Sequence, residues 1–309
     1  MTATTHTAPA AASTDRPVAS LGELQRAWEA VKSGRFRSNV RPAILSSTTT
    51  RAAAATSAGE WFPAETVIPI IGAGGSAGAT TLALALASAS SVPARVVECC
   101  SASASGLASA STAELGPTGS GWRRGLRDGL HHRILLERAE HSITTATAVP
   151  LPTDPDRPVA ITFLDCGWDL DHLLAGGWIA ELITTAPALV VAATASVPGM
   201  RRLEVAIEVL QATQVIAAVL GPRRKKWGRP VEGCLGPAAR ALDAVHGLVE
   251  IPLDHNLGIH GPTSARLPQQ LLNAAAQLLD RLPGPSTGLD ASDRGVDHEP
   301  LVVEDDQDR

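Results

Sequence analysis

Lysine is nearly missing from this chain. Of its 26 lysine and arginine residues only Lys32, Lys225 and Lys226 are lysines, so none lies between residues 33 and 224. Any chemistry in that interval that ordinarily uses a lysine must find another donor. Aromatic residues make up 3% of the sequence, too few for the repeated stacking platform of a single-strand nucleic-acid binder. With a net charge of −5 and an isoelectric point near 6.0, the molecule has no electrostatic reason to coat nucleic acid or anionic lipid, and such a partner would need a local patch. The four cysteines, Cys99, Cys100, Cys166 and Cys234, show no C-x-x-C or Cys/His spacing, and the N-terminus has no charged region followed by an apolar core. A reduced, cytoplasmic setting is expected. No apolar run approaches the ~20 uncharged residues of a membrane span. "LITTAPALVVAATASV" (182–197) is shorter and broken by Pro187, and reads as a helix end followed by a buried strand.

What is present, 44% hydrophobic residues, supports one core of roughly 200–250 residues with tails. Residues 1–19 and 46–60 are rich in Ala, Thr and Ser and cannot offset their ordering entropy, so disorder is expected there. Between them, over 20–37, Ser20 and Glu23 form a capping-box pair, Leu24, Trp28 and Val31 fall at helical spacing and Gly34 supplies a stop. This amphipathic helix is either a partner-binding element on a leash (linker 38–61) or a helix packed back on the core. A principal domain is expected over 62–283. The tail, 284–309, carries eight Asp and Glu against Arg294 and Arg309 and is expected to be disordered and solvating.

Within the domain, short apolar runs alternate with helical segments. Strands are predicted over 66–71, 95–99, 159–164, 188–193, 215–220 and 248–251, with a short one over 133–136. Helices are predicted over 80–90, 173–185, 200–213, 236–245 and 268–282. Apolar strands separated by helices indicate a mostly parallel sheet covered on both faces, a doubly wound α/β fold. The stretch 101–158, a Ser/Ala/Gly-rich loop followed by "GWRRGLRDGLHHR", breaks the rhythm.

The first strand runs straight into "GAGGSAGATT" and an alanine-rich helix. A strand that feeds a glycine-rich turn into a helix N-terminus makes an anion site from backbone N–H groups and the helix dipole. In a loop of the form G-x-x-x-x-G-K-[ST], a lysine then reaches the terminal phosphates and the hydroxyl holds Mg²⁺. Here Gly78 is followed by Ala79, Thr80 and Thr81.

The order of landmarks resembles the ParA/MinD-like P-loop ATPases, the deviant-Walker, SIMIBI-class family. Their K-G-G-x-G-K-T-T loop lies over "GGSAGATT", with Gly75 and Gly78 matching family glycines and Thr80 and Thr81 the paired threonines. Both family lysines are replaced, the first by Gly74 and the second by Ala79. "VAITFLDCGWDL" is similar to the family's Walker B strand, with Asp165 where an acidic residue supports the Mg²⁺ water shell. "PALVVAATASVPGMRRLEVAIEVL", "VIAAVLG" and "LVEIPLDHNLGIHGPTSARLPQQLLNAAAQLL" resemble the later strands and helices. Among them is an I-P-x-D turn whose Pro252 and Asp254 would border an adenine pocket.

The resemblance implies ATP and Mg²⁺ as cofactors. Gly74, Gly75, Ser76, Ala77, Gly78, Ala79, Thr80 and Thr81 would form the cradle, and Thr80 and Asp165 would serve the metal. It implies a homodimer and a protein partner, here through Leu24, Trp28 and Val31. The departures fall on the chemistry. Relatives carry an Asp after the second strand that positions the attacking water, whereas this chain offers only Glu98 in "RVVECCSASAS". Gly221 and Pro222 stand where an adenine-reading Asn is common. A charge-assisted phosphate contact is worth roughly 1.5–3 kcal/mol, so losing one costs one to two decades of affinity. Losing transition-state charge stabilisation costs far more in rate. Candidate catalytic groups are thus Glu98 and Asp165 alone.

Replacement cations are available in "GPRRKKWGRP" (Arg223, Arg224, Lys225, Lys226, with Trp227 able to stack) and in "GMRRLE" at the start of the helix after the fourth strand. A solvated basic loop is the plainer reading of the first. His131 and His132 have no serine or cysteine motif around them and read as surface residues. The last helix is neutral and followed by an acidic tail, which disfavours a membrane anchor.

The sequence reading is therefore a nucleotide-dependent switch or positioning protein with a degenerate loop and weak or absent hydrolysis. The alternatives are a pseudo-ATPase scaffold acting through protein contacts and a DNA-associated partition or transfer factor.

Overall fold

The computed structural model describes residues 61–101, 103–104, 106–210 and 214–284. The predicted helix over 20–37 with Leu24, Trp28 and Val31, the segments around it and the acidic tail lie outside the described residues.

Nine strands form one sheet in the order β3-β4-β5-β2-β6-β1-β7-β8-β9. They are β1 (Thr66–Gly72), β2 (Ala94–Glu98), β3 (Ala113–Pro117), β4 (Trp122–Asp128), β5 (Arg133–Ala139), β6 (Ile161–Cys166), β7 (Ala188–Thr194), β8 (Gln214–Gly221) and β9 (Leu248–Pro252). Every pairing from β5 to β9 is parallel, and β3, β4 and β5 pair antiparallel among themselves. This is a doubly wound α/β fold. β1 stands at the centre because its side chains are apolar on both faces: Ile68 and Ile70 enter one core, Val67 and Ile71 the other. Pro69 has no N–H to give a ladder, and pairing of β1 with β7 begins only at Ile70.

On the first face lies α1 (Ala79–Ala89), whose alanines and leucines are buried almost all round. Such a helix must be covered on both sides, and α9 (Gln269–Leu279) packs over it. The second face carries α3 (Leu170–Leu173), α4 (Trp178–Thr185), α5 (Val197–Val209) and α7 (Pro237–Ala244). Short turns of helix complete the chain: α2 (Leu107–Ala110), α6 (Arg229–Glu232) and α8 (His255–His260).

Three expectations need correction. The helix predicted over 173–185 is two pieces, because Gly176 and Gly177 adopt positive φ and end the first. The strand predicted over 159–164 starts later, at Ile161, and runs to Cys166, which brings Asp165 inside the ladder. The irregular stretch contains β3, β4 and a β5 longer than its predicted four residues. Within it Glu137 accepts from Arg124 and from Arg95 of β2, and Arg138 pairs with Glu114.

Candidate functional site

β6 and β7 flank β1, while the chain leaves β1 for β2 on one side and β6 for β7 on the other. Ligands of doubly wound sheets bind at the carboxyl ends of strands where the winding reverses, and here that point is the end of β1. The loop after it is anchored by the Ala73 N–H donating to the Ala192 carbonyl (2.8 Å) and closed by the Ala77 N–H donating to that of Gly74 (3.2 Å). Gly78 caps α1 at φ +90, a left-handed conformation that costs any other residue roughly 1–2 kcal/mol. A Cβ there would also meet Leu220 Cδ2 at 2.4 Å.

The N-terminus of α1 has neither a side-chain cap nor an acidic residue in its first turn. Among the described residues, the N–H groups of Ala79, Thr80 and Thr81 have no protein acceptor, since the first helical bond runs from Leu82 to the Gly78 carbonyl. Orphan N–H groups with the positive end of the helix dipole behind them make an anion cradle.

Beneath the loop, Asp165 is fully buried, and neither of its oxygens has a hydrogen bond of ordinary geometry. Burial raises its pKa from 3.8 to about 7; the Thr80 side chain opposes the rise, and the Glu98 charge adds to it. Glu98, Cys100 and Asp165 place ligand atoms within 4.8 Å of one another. Glu98 is partly committed, because its Oε1 accepts from the N–H groups of Gly106 (2.6 Å) and Leu107 (2.9 Å) at the start of α2. The thiols of Cys99, Cys100 and Cys166 are all pushed up by burial, with neighbouring carboxylates adding to the effect. They fill the core.

The loop lines a cleft of about 640 Å³. The structure brings together there Gly74, Gly75, Ser76, Ala77, Gly78, Ala79, Thr80 and Thr81 with Pro252 and Asp254 from the opposite wall. Asp254 is also the N-cap of α8, its Oδ1 accepting from the Leu257 N–H at 3.0 Å. Asp165 and Glu98 are buried and are not among the residues that line it. Sequence reasoning passed over a further wall, formed by Ser101, Ser103, Trp168, Asp169 and His172. Its signal was the polar run "WDLDH" directly after β6.

No lysine or arginine is among the residues lining the cleft. The basic loop after β8 does not supply one: Arg224 is held by Glu232 and Asp243 and lies over the Trp227 ring, whose Nε1–H donates to the Pro222 carbonyl. His131 and His132 are exposed, and the His132 ring meets the Ser91 carbonyl at 2.8 Å. Among the described residues no helix is long and apolar enough to cross a membrane.

No family model matches this chain, and no curated protein matches it. Solved structures are similar in fold. One is a protein assigned to plasmid partition from Borrelia burgdorferi B31, bound to AMPPNP, at 9% identity and a TM-score of 0.42, covering 70% of this chain and 97% of that one. Another is the cell division ATPase MinD of Pyrococcus furiosus, at 11% identity and 0.43, covering 71% and 99%. A third is apo McdA of Cyanthece, at 11% identity and 0.44, covering 70% and 99%.

Proposed function

We propose that this chain is a ParA/MinD-like nucleotide-binding switch or positioning protein that takes ATP with Mg²⁺ in a degenerate loop and hydrolyses it slowly or not at all. The observation that carries the reading is the juxtaposition of an uncapped, acceptor-free helix N-terminus with a buried carboxylate whose oxygens have no hydrogen bond of ordinary geometry. The first suits a phosphate and the second a hydrated cation. Oxygen donors from Thr80 and Asp165 fit the hard-ligand preference of Mg²⁺, which when bound would neutralise phosphate charge. In this reading residues 74–81 cradle the phosphates, Thr80 contacts the metal, Asp165 orients its water shell, and Pro252 and Asp254 border the base. The protein would act in the cytoplasm as a homodimer and meet a protein partner through Leu24, Trp28 and Val31.

A pseudo-ATPase scaffold is the second reading, and one specific observation favours it. The cleft lining has no lysine or arginine, and Glu98, the only candidate beside Asp165 for activating water, already caps α2. A DNA-riding factor draws less support, because Arg224 at the centre of the basic loop is neutralised within the chain.

Calorimetric titration with Mg-ATP and Mg-ADP, beside Gly78→Asp, tests the choice. Micromolar to low-millimolar binding that the variant loses is the result expected for a switch. Silence at millimolar nucleotide, unrelieved by Ala79→Lys, leaves the scaffold.

A further inference from the structure

Gly74 stands where the resembled loop carries the first of its two lysines, and the space that its missing side chain leaves is taken. A Cβ on Gly74 would lie 2.8 Å from Nη1, 3.0 Å from Cδ and 3.4 Å from Cζ of Arg202. The end of the Arg202 side chain therefore lies beside the loop, in the space that a Cβ on Gly74 would occupy.

The placement follows from the fold. β7 is the immediate neighbour of β1, with Gly72 opposite Ala192, so the helix that follows β7 begins beside the loop that follows β1. Ser196 caps that helix, its Oγ accepting from the Gly199 N–H at 3.1 Å. Buried Met200, Leu203 and Ala206 fix its rotation. Arg202, between the first two, is thereby directed over Gly74 rather than into solvent at random.

Charge argues for a purpose. Asp169 and Asp254 line the cleft, with no lysine or arginine among the lining residues. Arg202 is exposed and, like its neighbour Arg201 and unlike Arg224, is in none of the ion pairs among the described residues. A guanidinium is permanently charged and offers parallel donors matched to phosphate oxygens.

We propose that Arg202 is the phosphate-binding cation of this site, its guanidinium reaching over Gly74 to the polyphosphate in place of a loop lysine. The proposal rests on the nucleotide reading above and adds to it the residue that makes a lysine-free loop workable. Gly74, with no side chain, leaves room for Arg202 to cross the loop at this point.

The test is calorimetric titration of the full chain with Mg-ATP at two salt concentrations, for wild type, Arg202→Ala, Arg202→Lys, Gly74→Ala and the neighbouring Arg201→Ala. Melting curves check that each variant is folded. Arg202→Ala is expected to weaken binding about ten- to a hundredfold and to flatten its salt dependence. Arg202→Lys should keep part of the affinity, and Arg201→Ala should leave it unchanged. Gly74→Ala should weaken wild type but add little to Arg202→Ala, the non-additivity of two residues acting together. Wild-type affinity in Arg202→Ala, or an equal loss in Arg201→Ala, overturns the assignment of Arg202 while leaving the nucleotide site standing. A wild-type protein that takes up no Mg-ATP at millimolar concentration overturns the nucleotide reading and the assignment with it.

Discussion

Thr80, in the first turn of α1, faces Asp165, the penultimate residue of β6, and it is the neighbour that most favours a charge on that carboxylate. Burial outweighs it, and the acid titrates at about 7 rather than 3.8. Its protonated form is the one the fold accommodates. Stability from this group is complete below about pH 4 and is lost as pH rises towards about 7, because over that window the unfolded chain is already ionised while the native one is not. The loss is on the order of 4 kcal/mol. Denaturant melts of wild type and Asp165→Asn across pH 4–8 should show the difference between the two changing by roughly that amount over the window and levelling above it. A pH-independent difference would mean that Asp165 is ionised throughout.

The same proton reports on the metal. A cation brought near Asp165 favours its anion, so Mg-ATP binding below about pH 7 should release close to one proton, and affinity should climb with pH before reaching a plateau. Titrations at about pH 6 in two buffers of different ionisation enthalpy measure the release directly. Asp165→Asn should abolish it. Binding without proton release would place the metal away from this carboxylate.

Much of the framework was legible because β1, β6 and β7 are buried on both faces and so read as unbroken apolar runs. β4 was hidden: "WRRGLRD" has the composition of a solvated loop, and in the fold Glu137 receives Arg124 while distant carbonyls receive Arg127. The glycine-rich turn between β1 and α1 was readable from residue types alone, since glycines directly after an apolar run mark a turn. The approach of Arg202 to Gly74 was not, because it depends on the rotation of a helix fixed by Met200 and Leu203. Glu98 likewise looked like a free carboxylate until the chain turned back to set Gly106 and Leu107 upon it.

Cysteine reactivity probes the ends of β2 and β6. Cys99, Cys100 and Cys166 are buried and Cys234 is half-buried. Burial pushes the pKa values of the first three upward, which leaves almost no thiolate to react. A thiol reagent such as DTNB should modify one cysteine per native chain, Cys234, and all four in denaturant. Rapid reaction of a second would show that the strand ends under the loop open in solution.

Arg127 ties the far wall of the cleft to the sheet. On β4 and 2% exposed, it donates from Nη1 to the carbonyls of Ala110 (2.7 Å) and Thr263 (2.5 Å) and from Nη2 to that of Ala265 (2.6 Å). Two of those acceptors belong to the segment between α8 and α9, which carry Leu257 and Leu271 of the cleft lining. Ser109 adds a bond to the Pro262 carbonyl at 2.7 Å. Arg127→Met keeps the length of the side chain but strands three carbonyls, a cost of about 3–5 kcal/mol. The expected fall in Tm is roughly 6–20 °C for a domain of this size. Arg127→Lys should rescue little, since one ammonium cannot reach both carbonyl groups of the segment and that of Ala110 from the geometry a fork provides. Limited proteolysis should open a new site within 261–267 in either variant, and Mg-ATP binding should weaken with it, because the wall that carries Asp254 is released. An unchanged Tm with the segment still resistant to protease would mean that it is held by its own packing, and that the three hydrogen bonds merely satisfy a buried charge.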